Sequence, residues 1–216
     1  MNRIHKIIWS AIRDKWIVVS EKAGASGCPM LTAGALSLAV LMSTGAFARE
    51  VDPGQLPVGG TIVAGEGAVL PVVGNQLTLQ QVSPRLVADW KSFDIGRNAS
   101  VRFDQPGSSA VAMNRIHDQN PSLIMGNLTS NGQVFLINAA GVLFGKSAQV
   151  NVGGLVASSL DISNADFMNG RYRFAGSASS GAVVNEGSIT SANGGVVALI
   201  APQVSNSGEI RATGTR

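Results

Sequence analysis

Cysteine and histidine are almost missing from this chain. Of its 216 residues one is cysteine, Cys28, and two are histidine, His5 and His117. After Ala48 there is no thiol at all, which excludes a disulfide framework and thiolate metal sites there. The single imidazole left, His117, excludes a multi-histidine metal centre within one chain. Aromatic residues make up 5% and charged residues 13% of the sequence. The formal charge of +3 is confined to the N-terminal segment: residues 1–48 carry five of the 16 basic residues and two of the 13 acidic ones, leaving 11 of each sign after Ala48. A neutral chain without a basic patch excludes nucleic acid as a partner. No cofactor, metal site or catalytic residue is expected.

What the first 48 residues do contain is an address. Leu31–Thr44 is apolar and uncharged, a basic region precedes it, and Ala46-Phe47-Ala48 places small residues where a signal peptidase requires them. This order specifies export by the Sec machinery with cleavage after Ala48. The apolar run falls short of the ~20 residues of a membrane anchor. Cys28 precedes that run rather than following it, so Ser26-Gly27-Cys28 is not a lipidation site. Some 30 residues come before the apolar run, far more than an ordinary n-region. Ile4, Ile7, Ile8, Ile12 and Trp16 fall at helical spacing and predict a basic amphipathic helix in the signal peptide. Asn2-Arg3-Ile4, Ile8-Trp9 and Trp16-Ile17-Val18-Val19-Ser20-Glu21 resemble the extended signal-peptide region of autotransporters and of the secreted partners of two-partner secretion.

After Arg49 no long stretch has apolar residues at i, i+3, i+4 and i+7. Short runs rich in Val, Ile, Leu and Phe take their place: Thr61–Val63, Leu77–Leu79, Ser100–Phe103, Gln133–Ile137, Val142–Phe144, Gln149–Val152 and Val196–Ile200, separated by Gly, Asn and Ser. That pattern predicts an all-β domain, with a helical turn at most over Leu86–Trp90. Val183, Asn185, Gly187 and Ile189 recur as Val204, Asn206, Gly208 and Ile210, each 21 residues on. A fixed period near 20 in a β-rich chain fits one coil of a parallel β-helix, in which inward Val and Ile stack and Asn185 and Asn206 meet at equivalent turns. A hairpin repeat in a β-sandwich is the alternative. The irregular stretch after Arg49 would form an N-terminal cap over the open edge.

The remaining charged constellations carry little chemistry. Asp89, Asp94 and Asp104 lack the close acidic ladder of a calcium loop. Asp161 and Asp166 could pair as in a polysaccharide-cleaving β-helix, but no basic or aromatic cluster accompanies them in sequence, so they read as solvated turn residues. His117 beside Asp118 reads as a surface loop.

A succession of short motifs is more informative: Asp89-Trp90-Lys91-Ser92-Phe93-Asp94-Ile95-Gly96, Val101-Arg102-Phe103-Asp104-Gln105-Pro106, Met113-Asn114-Arg115-Ile116, Asn120-Pro121-Ser122-Leu123-Ile124-Met125-Gly126, Gly132-Gln133-Val134-Phe135-Leu136-Ile137-Asn138, then Ala139-Ala140-Gly141-Val142-Leu143-Phe144-Gly145 and Val150-Asn151-Val152-Gly153-Gly154-Leu155. From about residue 55 onward this succession resembles the N-terminal secretion domain of filamentous haemagglutinin-type exoproteins. The resemblance implies a right-handed parallel β-helix, read in the periplasm by a dedicated outer-membrane β-barrel transporter of the two-partner type. It also implies that two motifs matter for that reading: Asn-Pro-Asn-Leu, here Asn120-Pro121-Ser122-Leu123, and Asn-Pro-Asn-Gly-Ile, here Asn138-Ala139-Ala140-Gly141-Val142, in which Asn138 and Gly141 remain and Val142 stands at the Ile position. Both read as turns that Asn starts; the second has lost its Pro and inner Asn, which predicts a less pre-organised turn.

The expected organisation is therefore an extended signal peptide over 1–48 and a secretion domain over 49–216. The run stops in mid-pattern after Gly208-Glu209-Ile210, which reads as truncation at the C-terminus. The expected product is secreted or held at the outer-membrane surface. It belongs to a large adhesin or contact-dependent toxin that meets a host-cell or target-cell receptor through a region further downstream. A surface filament segment and a β-helical polysaccharide-cleaving enzyme are the competing readings.

Overall fold

The computed structural model describes residues 5–10, 15–20, 49–176 and 179–212. The chain divides into two units, Met1–Ala48 and Arg49–Arg216. In the first, β1 (His5–Ser10) pairs antiparallel with β2 (Lys15–Ser20), with Trp9 opposite Trp16. The amphipathic helix expected here is not formed by these residues. Ile7, Ile8, Ile17, Val18 and Val19 are β-branched, and their stiff side chains favour a pleated strand over a helical turn. The apolar run and the cleavage site at Ala46 and Ala48 lie outside the described residues.

The second unit is a parallel β-helix of three sheets. The first contains seven strands: β4 (Gly67–Val69), β5 (Gln76–Gln81), β7 (Ser100–Asp104), β10 (Asn127–Ser130), β13 (Gln149–Val152), β16 (Ser188–Ser191) and β19 (Glu209–Ala212). The second contains six: β3 (Thr61–Ala64), β6 (Arg85–Trp90), β8 (Val111–Ile116), β11 (Gln133–Asn138), β14 (Gly154–Ser158) and β17 (Val197–Ile200). The third contains four: β9 (Ser122–Ile124), β12 (Val142–Phe144), β15 (Val183–Asn185) and β18 (Val204–Asn206). The helical turn expected over Leu86–Trp90 is instead strand β6, because Leu86, Ala88 and Trp90 alternate into the core at period two.

Alternation fixes the register. Leu77, Val101, Leu128, Val150, Ile189 and Ile210 stack in line through the first sheet, facing inward. Leu86, Ala112, Val134, Leu155 and Val197 do so in the second. Slipping any rung by one residue would turn this apolar column to solvent. The 21-residue repeat is one coil: Val183 pairs with Val204, Asn185 with Asn206 and Ile189 with Ile210. Asn185 Nδ2 donates to Asn206 Oδ1 at 2.8 Å, the expected amide stack.

Two features depart from simple repetition. At the N-terminal end β3 and β4 run antiparallel to β6 and β5, closing over the first coil's edge as a cap. Between β14 and β15 an insertion leaves the stack, so that Val142 pairs with Val183, 41 positions on. It carries α1 (Asn164–Met168), whose N-cap Ser163 accepts the Asp166 amide. Phe167 of α1, with Ile162, Tyr172 and Phe174, covers the outer face of the second sheet around Val87, Met113 and Phe135. The Phe135 ring lies 5.0 Å from Tyr172 and 5.6 Å from Phe167. β11 is therefore buried on both faces, which is why it reads as a continuous apolar run.

A candidate recognition corner

The chain turns between the second and third sheets at residues 117–121 on one coil and at 138–141 on the next. In the first turn Asp118 Oδ1 accepts both the backbone amide and the Nδ2 of Asn120, each at 2.9 Å. Pro121 follows with its fixed φ and leads into β9. In the second, the Gly141 amide donates to the Asn138 carbonyl at 2.9 Å, and the Ala140 amide donates to Asn138 Oδ1 at 2.9 Å. The side-chain acceptor of Asn138 closes this turn in place of a proline. Gly141 takes φ +113°, and a Cβ there would sit 2.5 Å from the Ala182 carbonyl oxygen, so only glycine fits.

These two turns stack. Ser122 pairs with Val142 and Leu123 with Leu143 across β9 and β12, and the Ser122 amide donates to the Gly141 carbonyl at 3.0 Å. Asn138, wholly buried at the end of β11, donates its Nδ2 to the Asn120 carbonyl and to Ser122 Oγ, both at 3.0 Å. The two sequence motifs thus form a single corner. Exposure then separates their members. Asn120 and Ala139 are exposed and Pro121 and Ala140 half-buried, whereas Ser122, Leu123, Asn138, Gly141 and Val142 are buried. The solvent-facing part of the two motifs is Asn120-Pro121 on one rung and Ala139-Ala140 on the next, carried by a buried frame.

The frame is held from both sides. Above it, the Gly181 amide donates to the Ala139 carbonyl at 2.8 Å and Val142 to the Ala182 carbonyl at 3.1 Å. Below it, the Leu123 amide donates to Asp94 Oδ1 at 2.8 Å, and Arg49 Nη2 to Asp94 Oδ2 at 2.5 Å. Asp94 is 3% exposed, and an ionised carboxylate at that depth must be paired. Sequence reasoning did not assign Asp94 or Arg49 to this corner, since each lies far in sequence from what it holds, and it read Asp118, two residues before Asn120, only as a surface loop beside His117.

Several other charged residues are paired. Asp89 meets His117 Nε2 at 3.1 Å and Arg115 at 3.6 Å. Asp161 pairs with Arg115 at 3.0 Å and Asp166 with Arg171 at 2.8 Å. The exposed Asp161 has a cation after all: the insertion carries it over Arg115 of β8. Hydrogen bonds from Arg171 and Ser163, more than the opposing burial, hold Asp166 below the usual carboxylate range. Among the described residues no three His, Cys, Asp or Glu side chains converge as a metal site would require. The corner offers amides, carbonyls and a proline ring, which suit hydrogen-bonded docking rather than bond-breaking chemistry.

Residues 53–215 match the family model of the TPS secretion domain, and residues 1–48 match that of the extended signal peptide of type V secretion systems. A heme/hemopexin-binding protein of Haemophilus influenzae is 38% identical over 180 residues, covering 81% of this chain and 20% of the relative. The autotransporter adhesin AIDA-I of Escherichia coli is 39% identical over 71 residues, 32% of this chain and 5% of the adhesin. The crystal structure of the HMW1 secretion domain from Haemophilus influenzae superposes with a TM-score of 0.66 at 34% identity, covering 71% of this chain and 41% of that one. The chain spans about a fifth of the length of the heme/hemopexin-binding relative.

Proposed function

The chain belongs to the TPS secretion domain family, and on that premise we propose that the corner formed by Asn120-Pro121 and Ala139-Ala140 is where its outer-membrane transporter reads it. The family role is export recognition of an exoprotein in a two-partner system, with passage through the periplasm to the cell surface. The corner is the proposed means. The observation that carries it is the Asn138 carboxamide, which joins the two motif turns so that four exposed or half-buried residues form one rigid epitope. A rigid epitope loses little conformational entropy on docking. The exposed Asn120 side chain offers hydrogen bonds to a partner's backbone or polar side chains.

The leader completes the route. The Sec machinery delivers the chain, and signal peptidase cuts after Ala48, leaving a periplasmic form that begins at Arg49. The domain itself has no catalytic role in this reading: its acidic pairs are neutralised by Arg115 and Arg171. Adhesion or toxicity, and any receptor on a host or target cell, belong to the longer exoprotein of which such a domain is the leading part.

A binding titration against the periplasmic domains of the cognate transporter tests the corner. Asn120→Ala and Pro121→Ala should each weaken binding about tenfold or more, the loss of one or two well-made contacts, with an unchanged circular dichroism spectrum. Asn193→Ala, at an exposed turn after β16, should leave binding intact. Equal affinity for all three would remove the corner from the docking surface.

A further inference from the structure

The residue that follows the cleavage site reaches the recognition corner through a single buried carboxylate. Residues 53–55 lie along residues 96–98 beneath the third sheet: the Gly96 amide donates to the Gln55 carbonyl at 2.9 Å, and Asn98 to Pro53 at 2.8 Å. The next rung is the motif strand, where Ile95 donates to Leu123 at 3.0 Å and Met125 to Ile95 at 2.7 Å. Asp94 sits between them with two partners among the described residues, the Arg49 guanidinium and the Leu123 amide. Its side chain is 4% exposed while that of Arg49 is 42% exposed, so the carboxylate bears the desolvation and the cation can come and go.

We propose that Arg49 and Asp94 form a clasp that closes only after the leader is removed, and that its closing fixes the Leu123 rung of the recognition corner. The inference rests on cleavage after Ala48 and on the docking role of the corner. Before cleavage Ala48 is held at the membrane surface, and one residue of chain spans only about 3.6 Å. Arg49 therefore cannot enter a folded coil unless the coil lies against the membrane. Asp94 then stays without its cation, and a buried carboxylate so deprived opens its surroundings to water. Cleavage frees Arg49 to reach Asp94. The negative charge is then compensated, and the carboxylate is set to accept the Leu123 amide. The fold would thus present a finished corner only on chains that have left the inner membrane.

Amide hydrogen exchange read by mass spectrometry tests this, comparing the processed chain with a full chain carrying the cleavage-blocking substitution Ala48→Trp in phosphatidylethanolamine–phosphatidylglycerol vesicles. The Leu123 amide should exchange about tenfold or more faster in the membrane-held chain, as expected for a lost buried pair, while β11 amides keep their protection. Processed Arg49→Ala should show the same local acceleration, and Arg49→Lys should largely reverse it. Equal Leu123 protection in the membrane-held and processed chains, or in Arg49→Ala and the parent, overturns the clasp. So does loss of protection throughout β11, which would mean a fold that has not formed. If Leu123 responds as expected but Arg49→Ala binds the transporter as well as the parent does, the docking role of the corner fails and the clasp stands.

Discussion

Asn138 donates its side-chain amide to the backbone carbonyl of Asn120 at 3.0 Å, across the step between two coils. One residue is wholly buried and the other exposed. The same two asparagines that a sequence motif treats alike therefore do different work.

Substitution should separate them. Asn138→Ala removes the donor to Asn120 and Ser122 and the acceptor for Ala140, leaving polar groups of a buried corner unpaired. It should cost about 2–3 kcal/mol and lower Tm by several degrees. Asn120→Ala loses one exposed bond to Asp118 and should stay within about 0.5 kcal/mol, yet reduce secretion. Thermal denaturation of both variants beside a secretion assay checks the contrast; equal destabilisation would return Asn120 to a structural role.

Much of the fold was legible, and what was not has physical causes. The Val183–Ile189 and Val204–Ile210 repeat gave the coil length because its members pair rung on rung, with Val183, Ile189 and Ile210 against the core and Asn185 bonded to Asn206. β12 coincides with the expected run because its three apolar residues are all buried, and β13 because Gln149–Val152 alternates without a break. β8 was missed: Met113 faces the outer cluster, and Asn114, a polar residue at an inward position, breaks the pattern. It is tolerated there because it accepts the Trp90 indole N–H at 2.9 Å and donates to the Phe135 carbonyl at 3.2 Å. α1 carried a Ser163-x-x-Asp166 capping signal too short to register beside the β pattern. Of the corner, sequence could point to the two turns but not to their stacking, nor to Asp94, since both depend on pairing between coils.

Asn114 offers a second stability test. Asn114→Ala would strand the Trp90 indole N–H in the core and open space beside it, at about 2–4 kcal/mol. Chemical denaturation of the processed domain should show a lower midpoint with an unchanged slope. An unaltered midpoint would mean that the indole finds another acceptor.

The aromatic cover on the second sheet should act as a unit. Phe135→Ala removes the ring against which Tyr172, Phe167 and Phe174 pack and should cost about 3–5 kcal/mol. Limited proteolysis should then cut within residues 159–176 well before the coils themselves are attacked. Cutting at the same rate as in the parent would show that the insertion is anchored by Arg115, through Asp161 and Asn164, rather than by its rings.

Processing has its own readout. N-terminal sequencing of the exported chain should begin at Arg49, and no lipid should be found on Cys28. A start at Cys28 would reverse the order assigned to the basic, apolar and small-residue segments.

The most direct test of export recognition is to express residues 1–216 with and without the cognate outer-membrane transporter and measure the processed domain in the medium. Transporter-dependent appearance in the medium, with periplasmic retention in its absence, is the expected result. Equal amounts outside the cell in both strains would contradict recognition by a dedicated transporter.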